Sequence, residues 1–305
     1  MPTKLVRPSK RQVSDGTLVL RAPGLAQIPW LVHGFSTRMG GVSALSGLPS
    51  AQHQLNLGKV AWDKPSSVEE NRRRFLECLR ASDMSLVVQQ QIHSDLIRMV
   101  DTGSNPSRTP RGDGLITDRP GLLLAILSAD CLPVLVVDIR QRVVAAFHCG
   151  WRGTAKRIAQ KGVGRMRLFC GSRPEDLRGA IGPGIGPCCY RIGEEVAAEY
   201  QSQFSYSSSL LHIEKPHKSF VDKNYALMRS ERWRATPSRA GRTIKLDLAE
   251  ANVRQLVDAG VDRANICADA RCTSCHAELF FSHRRDAGHT GRMMGVIGIK
   301  GEKRD

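Results

Sequence analysis

The chain has 305 residues, of which 41% are hydrophobic and 24% charged, a composition that fits a globular protein with a sizeable core. It holds no run of about 18 apolar residues, which argues against a membrane span, and its basic N-terminus lacks the apolar segment of a secretory signal. We therefore expect a cytoplasmic protein. The net charge of +16 favours anionic partners, but the basic residues are spread over several segments, as on a solvated surface.

The hydrophobic pattern predicts strands and helices in irregular alternation. The first 16 residues are basic and polar and are expected to form a flexible arm. Strands are predicted at 84–93, 122–127, 133–138, 143–147, 179–185 and 294–299. Helices are predicted at 68–82, 155–169, 193–203 and 247–259. Residues 205–243 are polar, serine-rich and basic, which indicates an insertion. Because no regular βαβ order appears, we predict an α+β fold with mixed sheets.

Three potential metal ligands lie at the ends of predicted strands. His93, Cys131 and His148 each stand at or just beyond such an end. Because strand ends on one edge of a sheet converge, residues distant in sequence can meet there. Two imidazoles and one thiolate suit zinc and leave a fourth position for water or substrate. The alternative is that these histidines only form hydrogen bonds, since nine histidines and nine cysteines offer many such triples.

Two further features accompany these residues. A glycine-bracketed turn at 150–154 opens a predicted helix, where backbone N–H groups and Arg152 would favour an anion. A plain strand-to-helix turn explains the same pattern. Asp113 is placed to orient a metal-bound histidine or to act as a base; the alternative is an exposed aspartate in a turn.

Adjacent arginines follow a predicted buried segment near the C-terminus. Arg284 and Arg285, together with Arg38 in the N-terminal glycine turn, are candidates for holding a phosphate or carboxylate of a substrate. The alternative is that they are solvated surface residues.

Nine cysteines are many for a chain expected in a reducing compartment, and their odd number argues against a disulfide scaffold. Cys272, Cys275 and His276 match the attachment motif of c-type haem, but neither an export signal nor a following helix accompanies it. Together with Cys267 they would form a structural zinc site of irregular spacing. Metal binding, catalysis and simple burial all stay open for these cysteines.

Eight segments can be recognised together in the chain. They are HGFSTRMGGVS (33–43), LNLG (55–58), QIHSD (91–95), DGLITD (113–118), SADCLPVLVVD (128–138), HCGWRGT (148–154), AIGPGIGPCCY (180–190) and FFSHRRDAGHTGRMMGVI (280–297). Taken in this order they resemble the YfiH-like family, also called the multicopper polyphenol oxidoreductase or laccase-domain family. The resemblance covers about residues 31–299.

The resemblance implies one catalytic domain over residues 17–305, carrying the basic insertion at 205–243. Its fold would be a four-layer α/β/β/α sandwich of mixed sheets and outer helices. It also implies a metal site at His93, Cys131 and His148, with zinc as the usual ion. Copper fits less well, because a multicopper oxidase needs paired His-x-His motifs that this sequence lacks.

Members of this family are credited with phosphorolysis of purine nucleosides (adenosine, inosine, guanosine or methylthioadenosine) and with adenosine deamination. Bacterial relatives are also described as amidases that edit a UDP-linked muramyl precursor of peptidoglycan. An open zinc position suits deamination and amide hydrolysis, whereas phosphorolysis needs an anion site beside the sugar. Cys131 is expected to be a metal ligand rather than a free nucleophile. Cys149, where many relatives have a small residue, adds a thiolate that would compete.

We therefore expect a zinc-dependent purine nucleoside phosphorylase with adenosine deaminase activity, acting on a purine nucleoside and phosphate. The predicted catalytic residues are His93, Cys131, His148 and Asp113. The predicted substrate residues are Arg38, Arg152, Arg284 and Arg285. One alternative is the amidase. Another is a basic nucleic-acid-binding protein, which is disfavoured because aromatic residues do not alternate with the basic runs. The oligomeric state stays open.

Overall fold

Two six-stranded β-sheets form the centre of the fold. The computed structural model describes the backbone of residues 9–12 and residues 16–44, 53–101, 110–214 and 242–301 with their side chains. From edge to edge, the first sheet consists of β1 (Ser9–Gln12), β2 (Leu18–Arg21), β3 (Leu31–Ser36), β16 (Met293–Ile299), β8 (Leu122–Ser128) and β5 (Ser85–Val87). The second consists of β15 (Ile266–Ala268), β11 (Leu177–Ile181), β9 (Leu132–Asp138), β10 (Val143–Cys149), β7 (Gly114–Thr117) and β6 (Ile97–Met99).

Both sheets are mixed. Most neighbouring strands are antiparallel, but β5 pairs with β8, β6 with β7, and β11 with β15 in parallel. A small third sheet consists of β12 (Arg191–Ile192), β14 (Thr243–Leu246) and β13 (Leu211–Glu214). Outside these sheets, β4 (Met39–Ser43) forms isolated bridges to Gln54.

Most of the helices cover the outer faces of the sheets, whereas Leu25 of the short α1 belongs to the core between them. Their bounds are α1 (Pro23–Ala26), α2 (Pro65–Leu79), α3 (Trp151–Ala155), α4 (Ile158–Cys170), α5 (Glu194–Gln203), α6 (Ser207–Leu210) and α7 (Leu248–Asp258). Across the described ranges, none of the helices is both long enough and apolar enough to cross a membrane.

Three apolar cores separate four layers. One core lies between the two sheets and contains, for example, Phe35 of β3 and Leu135 of β9. A second lies between the first sheet and α2, where Phe75 is fully buried. The third lies between the second sheet and helices α4, α5 and α7. The predicted α/β/β/α sandwich of mixed sheets and outer helices is confirmed.

The central strands are apolar along their whole length because both of their faces are covered. In β8, Leu122, Leu124 and Ile126 belong to the core between the sheets. The alternate residues Leu123 and Ala125 belong to the core beneath α2. Successive side chains of a strand point to opposite faces, so a strand between two cores has no polar face and reads as a continuous apolar run.

Most predicted helices are present, with shifted ends. α2 begins at Pro65, a favoured first helical residue. α7 begins after Asp247, whose carboxylate accepts a hydrogen bond from the N–H of Glu250 and caps the helix. The helix predicted at 155–169 is interrupted at Arg157, which has a φ of 61°. This left-handed residue separates α3 from α4 and turns the chain between them.

Three predictions differ from the structure. The strand predicted at 84–93 ends at Val87, so the segment that carries His93 is irregular. Four residues of the predicted arm, Ser9–Gln12, form β1 and pair with β2. Part of the predicted insertion at 205–243 is regular, since α6 and β13 lie within it, while residues 215–241 lie outside the described ranges.

Candidate metal centre

Two imidazoles and a thiol converge where the first sheet passes into the second. His148 is the penultimate residue of β10. Cys131 lies in the turn between β8 of the first sheet and β9 of the second. His93 lies in the irregular segment between β5 and β6. The ligand atoms of the three side chains all lie within 4.8 Å of one another, so the structure brings together the predicted triad.

The triad is exposed to solvent at His93. The Sγ of Cys131 lies 4.0 Å from Nε2 of His93, and the two imidazole ring centroids are 4.9 Å apart with planes at 71°. His93 is exposed, Cys131 is half-buried, and His148 is only 4% exposed. An ion held by these donors would therefore be accessible from the His93 side, as the reacting ion of an enzyme must be.

Asp113 organises two of the three donors. Its Oδ1 lies 2.8 Å from Nδ1 of His148 and accepts a hydrogen bond from the backbone N–H of His93 at 3.0 Å. Its Oδ2 accepts from the N–H of Ile92 at 3.2 Å, and from the N–H and hydroxyl of Ser94 at 2.6 and 2.7 Å. A carboxylate on Nδ1 holds the imidazole with Nε2 free for a metal.

The burial and hydrogen bonds of Asp113 indicate which of its predicted roles fits the structure. The side chain has no exposed surface, so it is not an aspartate in an exposed turn. Burial alone would raise its pKa, but the hydrogen bonds from His148 and Ser94 outweigh burial and hold the pKa well below its usual range. Since both oxygens are already occupied, the geometry favours orientation of His148 over the role of a general base.

Two residues at the centre have left-handed backbone conformations. His93 has a φ of 57°, and Asp130, next to Cys131, has a φ of 96°. The Asp130 carboxylate accepts from the hydroxyl of Thr273 at 2.6 Å and from the N–H of Arg284 at 2.7 Å. Non-glycine residues in this region of φ are costly and persist only where surrounding contacts hold them. The turns that carry His93 and Cys131 are therefore held by buried carboxylates.

Gly150 leaves room for the triad. A Cβ atom at this position would lie 2.9 Å from the Sγ of Cys131 and 3.2 Å from Cδ2 of His93. The first distance is shorter than real Cβ contacts, so a side chain here would displace the thiol. The glycine of the 150–154 turn thus serves the close approach of the donors.

The negative charge of the Cys131 thiolate and the positive charge of the His148 imidazolium stabilise each other. Burial disfavours a thiolate, but His148 and His93 beside the sulfur outweigh it and lower the pKa of Cys131 to about 6. Desolvation likewise disfavours the imidazolium of His148, while Cys131 and Asp113 outweigh it and raise that pKa to about 9. Burial raises the pKa of Cys149 well above its usual value. The predicted competition from Cys149 is therefore unfavourable, because its thiol stays protonated.

Two of the predicted arginines lie around Tyr190, whose hydroxyl is also within electrostatic range of Cys131. Tyr190 is buried, which raises its pKa, and its hydroxyl interacts with the charges of Cys131, Arg284 and Arg152. Both arginines are exposed, and the guanidinium of Arg284 lies 5.3 Å from the ring centroid of Tyr190. The Nη1 of Arg284 donates to the carbonyl of Arg191 at 2.8 Å, and the role of both predicted arginines in substrate binding stays a prediction.

The other two arginines make internal contacts. The guanidinium of Arg285 forms a bidentate ion pair with the carboxylate of Asp286 at 2.7 and 3.0 Å. It also donates to the carbonyl of Thr273 at 2.8 Å. Arg38 donates to the side-chain oxygen of Gln54 and, at 2.8 Å, to the carbonyl of Ala277. Their role in substrate binding stays a prediction, and these contacts favour a positioning role for both.

Arg292 and His283 were not predicted to belong to the site. Burial lowers the pKa of Arg292, and the charges of Cys131 and Asp130 oppose that shift, so this guanidinium lies within electrostatic range of the triad. His283 interacts with Arg292, Asp130 and, more weakly, His93. Both lie in the segment 280–297, which resembles the family as a whole, but its sequence does not tell which side chains turn inward.

The four-layer fold and the convergent histidines and cysteine define an α+β protein with a candidate metal centre. The family described as multi-copper polyphenol oxidoreductase laccase matches residues 32–300. The chain belongs to this family.

Its relatives carry a common name. The protein is 37% identical over 299 residues to a Geobacillus stearothermophilus protein named purine nucleoside phosphorylase YlmD, covering 96% of this chain and 97% of that one. It is 38% identical over 289 residues to a Deinococcus radiodurans protein named purine nucleoside phosphorylase, covering 94% of each. The crystal structure of Bacillus licheniformis hypothetical protein YfiH superposes with a TM-score of 0.77 at 32% identity, covering 95% of this chain and 99% of that one.

Proposed function

We propose that the protein is a purine nucleoside phosphorylase whose active centre is the triad His93, Cys131 and His148. The observation that carries the proposal is the convergence of these donors within 4.8 Å, in a chain that matches two proteins named purine nucleoside phosphorylase over nearly its whole length. The substrates would be a purine nucleoside and inorganic phosphate.

The donor set fits zinc. Two imidazoles and a thiolate are ligands that zinc prefers, and His148 already has its Nδ1 engaged by Asp113, which leaves Nε2 for the ion. With three protein ligands, the ion would keep one position open and supply Lewis-acid chemistry there. Two histidines and a cysteine also bind copper in blue-copper proteins, so metal analysis of the purified protein is part of the test.

The reaction requires phosphate beside the sugar. A phosphate oxygen bonds to C1′ of the ribose as the bond from C1′ to N9 of the purine breaks, and the departing base takes up a proton. Arg152 and Arg284 are exposed and interact electrostatically with Tyr190, as Cys131 does, and Arg292 interacts with the charge of Cys131 itself. We infer that these arginines bind the phosphate, because guanidinium groups match phosphate oxygens in charge and geometry.

A second activity is favoured by the open side of the triad. An ion accessible on the His93 side also suits adenosine deamination, in which water replaces the amino group at C6 and ammonia leaves. The same feature suits amide hydrolysis of a muramyl precursor, so the amidase is the alternative that the assays must separate from the nucleoside activities.

The test measures product formation by chromatography. Incubation with inosine and phosphate is expected to give hypoxanthine and ribose 1-phosphate, and omission of phosphate is expected to abolish both products. Incubation with adenosine is expected to give inosine and ammonia without phosphate. Failure to release base, combined with cleavage of the muramyl precursor, would overturn the proposal. A salt-sensitive gel shift with neither activity would favour nucleic acid instead.

Variants connect the activity to the site. Cys131→Ser is expected to lose the metal of the triad and turnover together, whereas Cys267→Ser serves as the cysteine control. Arg284→Gln is expected to raise KM for phosphate about tenfold or more, since a hydrogen bond to a charged group contributes about 1.5–3 kcal/mol. Its control is Arg167→Gln, an exposed arginine on α4. An unchanged KM for phosphate in Arg284→Gln would remove this residue from the phosphate site.

A further inference from the structure

A second group of sulfurs lies apart from the triad. The Sγ atoms of Cys188, Cys189, Cys272 and Cys275 all lie within 4.8 Å of one another. The Sγ of Cys275 is 3.5 Å from that of Cys188 and 3.4 Å from that of Cys189. None of the four forms a disulfide bond. Four thiols from two distant segments therefore share one small volume at the surface.

Two turns bring these thiols together. Cys188 and Cys189 lie in the turn between β11 and β12, and Cys272 pairs with Gly184 in an isolated β-bridge. The N–H of Gly186 donates to the Sγ of Cys272 at 3.2 Å. A Cβ on Gly186 would lie 3.2 Å from the Cβ of Cys272 and 3.3 Å from the Sγ of Cys188. The close approach of the two turns thus depends on a glycine and on a backbone donor aimed at a sulfur.

The cluster differs from the set indicated by the sequence. Cys267 lies elsewhere: a Cβ on Gly24 in α1 would meet its Sγ at 3.6 Å. His276 pairs with Glu278 at 3.2 Å, and it is not among the residues whose ligand atoms converge. Cys188 and Cys189 take the places of these two residues, so Cys272 and Cys275 are the members common to both sets.

The distances suit a tetrahedral ion. With a zinc–sulfur bond of about 2.3 Å, the sulfurs of a tetrathiolate site lie about 3.8 Å apart. The observed spacings of 3.4 and 3.5 Å are slightly shorter than this value, and all four sulfurs lie within 4.8 Å of one another. Four thiolates select soft or borderline ions, zinc above all in a site without redox function. Cys188 and Cys275 are exposed, which leaves a path for the ion to enter.

We propose that Cys188, Cys189, Cys272 and Cys275 bind a zinc ion of their own, distinct from the triad. Each thiol gives up its proton to solvent as the sulfur bonds to the ion, so a neutral cluster and a dication become a complex of charge two minus and four protons. Four protein ligands fill a tetrahedral zinc, which makes this a structural rather than a catalytic site.

Such an ion would stabilise two turns that contact residues next to the triad. It would join the turn that precedes Tyr190 to the turn that contains Thr273. The hydroxyl of Thr273 donates to the Asp130 carboxylate beside Cys131, and Tyr190 packs under Arg284. The proposal does not depend on the reaction performed at the triad, so it stands or fails separately from the proposed function.

Metal counting on the full chain tests the proposal. We expect the protein, purified without chelator after growth with zinc, to contain two zinc ions per chain by mass spectrometry of the metal. Cys131→Ser is expected to retain one, and a Cys188→Ser/Cys275→Ser double variant is also expected to retain one. Cys267→Ser, the matched control, is expected to retain two. A single zinc in the unsubstituted protein that disappears in Cys131→Ser would overturn the proposal.

Cobalt distinguishes the two sites without relying on the double variant, which could fail to fold. Cys131→Ser, stripped of metal under reducing conditions and titrated with Co²⁺ alone, is expected to develop the intense absorption of a tetrathiolate complex at one equivalent. Absence of these bands in a folded Cys131→Ser sample refutes the site. So does a disulfide between Cys275 and Cys188 or Cys189 in the freshly purified protein, detected by peptide mass spectrometry before any oxidant is added.

Discussion

Replacement of Asp113 by asparagine tests how the triad is organised. The substitution keeps the shape of the side chain but removes its charge and turns one acceptor oxygen into a donor. In the structure the two oxygens face four N–H or O–H donors from residues 92–94, together with Nδ1 of His148. Whichever way the amide turns, one group of donors meets an NH₂.

Each orientation has a definite cost. With the NH₂ toward His148, the N–H of His93 loses its acceptor, and the imidazole must accept at Nδ1 and carry its proton on Nε2. A proton on Nε2 occupies the atom that a metal needs. With the NH₂ toward Ser94, two backbone N–H groups lose their acceptor. An unsatisfied buried donor costs about 1–3 kcal/mol, so we expect the first orientation and a stability loss of about that size.

The effect on metal binding follows from the same contacts. Loss of a carboxylate that orients a ligating histidine typically weakens metal affinity by about 10–100-fold. We therefore expect Asp113→Asn to bind zinc at the triad at least about tenfold more weakly, with turnover reduced in parallel. Competition against a chromophoric chelator gives the affinity, and urea unfolding gives the stability.

The matched control is Asp138→Asn. Asp138 is also fully buried, and it accepts from the N–H groups of Arg140 and Gln141 at the turn after β9. An asparagine can keep its Oδ1 as the acceptor of both N–H groups, so this variant should stay folded and keep its zinc affinity. The reasoning is refuted if folded Asp113→Asn retains the affinity of the unsubstituted protein, or if Asp138→Asn weakens zinc binding to the same extent.

Three further predictions concern Gly150 and Cys149 near the triad and His33 in β3. Gly150→Ala is expected to displace the thiol of Cys131, which would lie 2.9 Å from the new Cβ, and to lower metal content while the circular dichroism spectrum stays unchanged. Cys149→Ala is expected to keep metal and turnover at a cost of about 1 kcal/mol in unfolding free energy, because its buried thiol only packs. Burial and the charge of Arg21 lower the pKa of His33 to about 3. Since the unfolded state takes up that proton first, stability should fall by about 2 kcal/mol from about pH 7 to pH 5, and the fall should be absent in His33→Gln.

The long central elements were predictable from sequence because burial on both faces leaves an unbroken apolar pattern. β8, β9 and β10 lie within a residue or two of their predicted ends for this reason. The segment 88–93 was also predicted as strand, yet it is irregular, and at its end the buried Asp113 accepts the backbone N–H groups of Ile92 and His93. A local pattern does not contain such a contact over twenty residues.

The candidate site was likewise predictable only in part from the sequence. His93, Cys131 and His148 were identifiable by residue type and by resemblance, and the structure brings them together. The role of Asp113 depends on which oxygen faces which donor, and the partners of Cys272 depend on a bridge to Gly184. Both are contacts between segments far apart in the chain, so spacing along the sequence carries no information about them.

The two sulfur-containing sites differ in what positions their ligands. At the triad, Asp113 holds His93 and His148, and Asp130 holds the turn of Cys131 through Thr273 and Arg284, so protein hydrogen bonds position the donors without an ion. In the second cluster, the N–H of Gly186 donates a hydrogen bond to the sulfur of Cys272, and two of the four cysteines are exposed. Preorganised donors suit an ion that must keep an open position for substrate. Loosely held donors at the surface suit an ion that itself cross-links the chain. Removal of zinc by a chelator should therefore destabilise the two turns of the second cluster before it disturbs the triad.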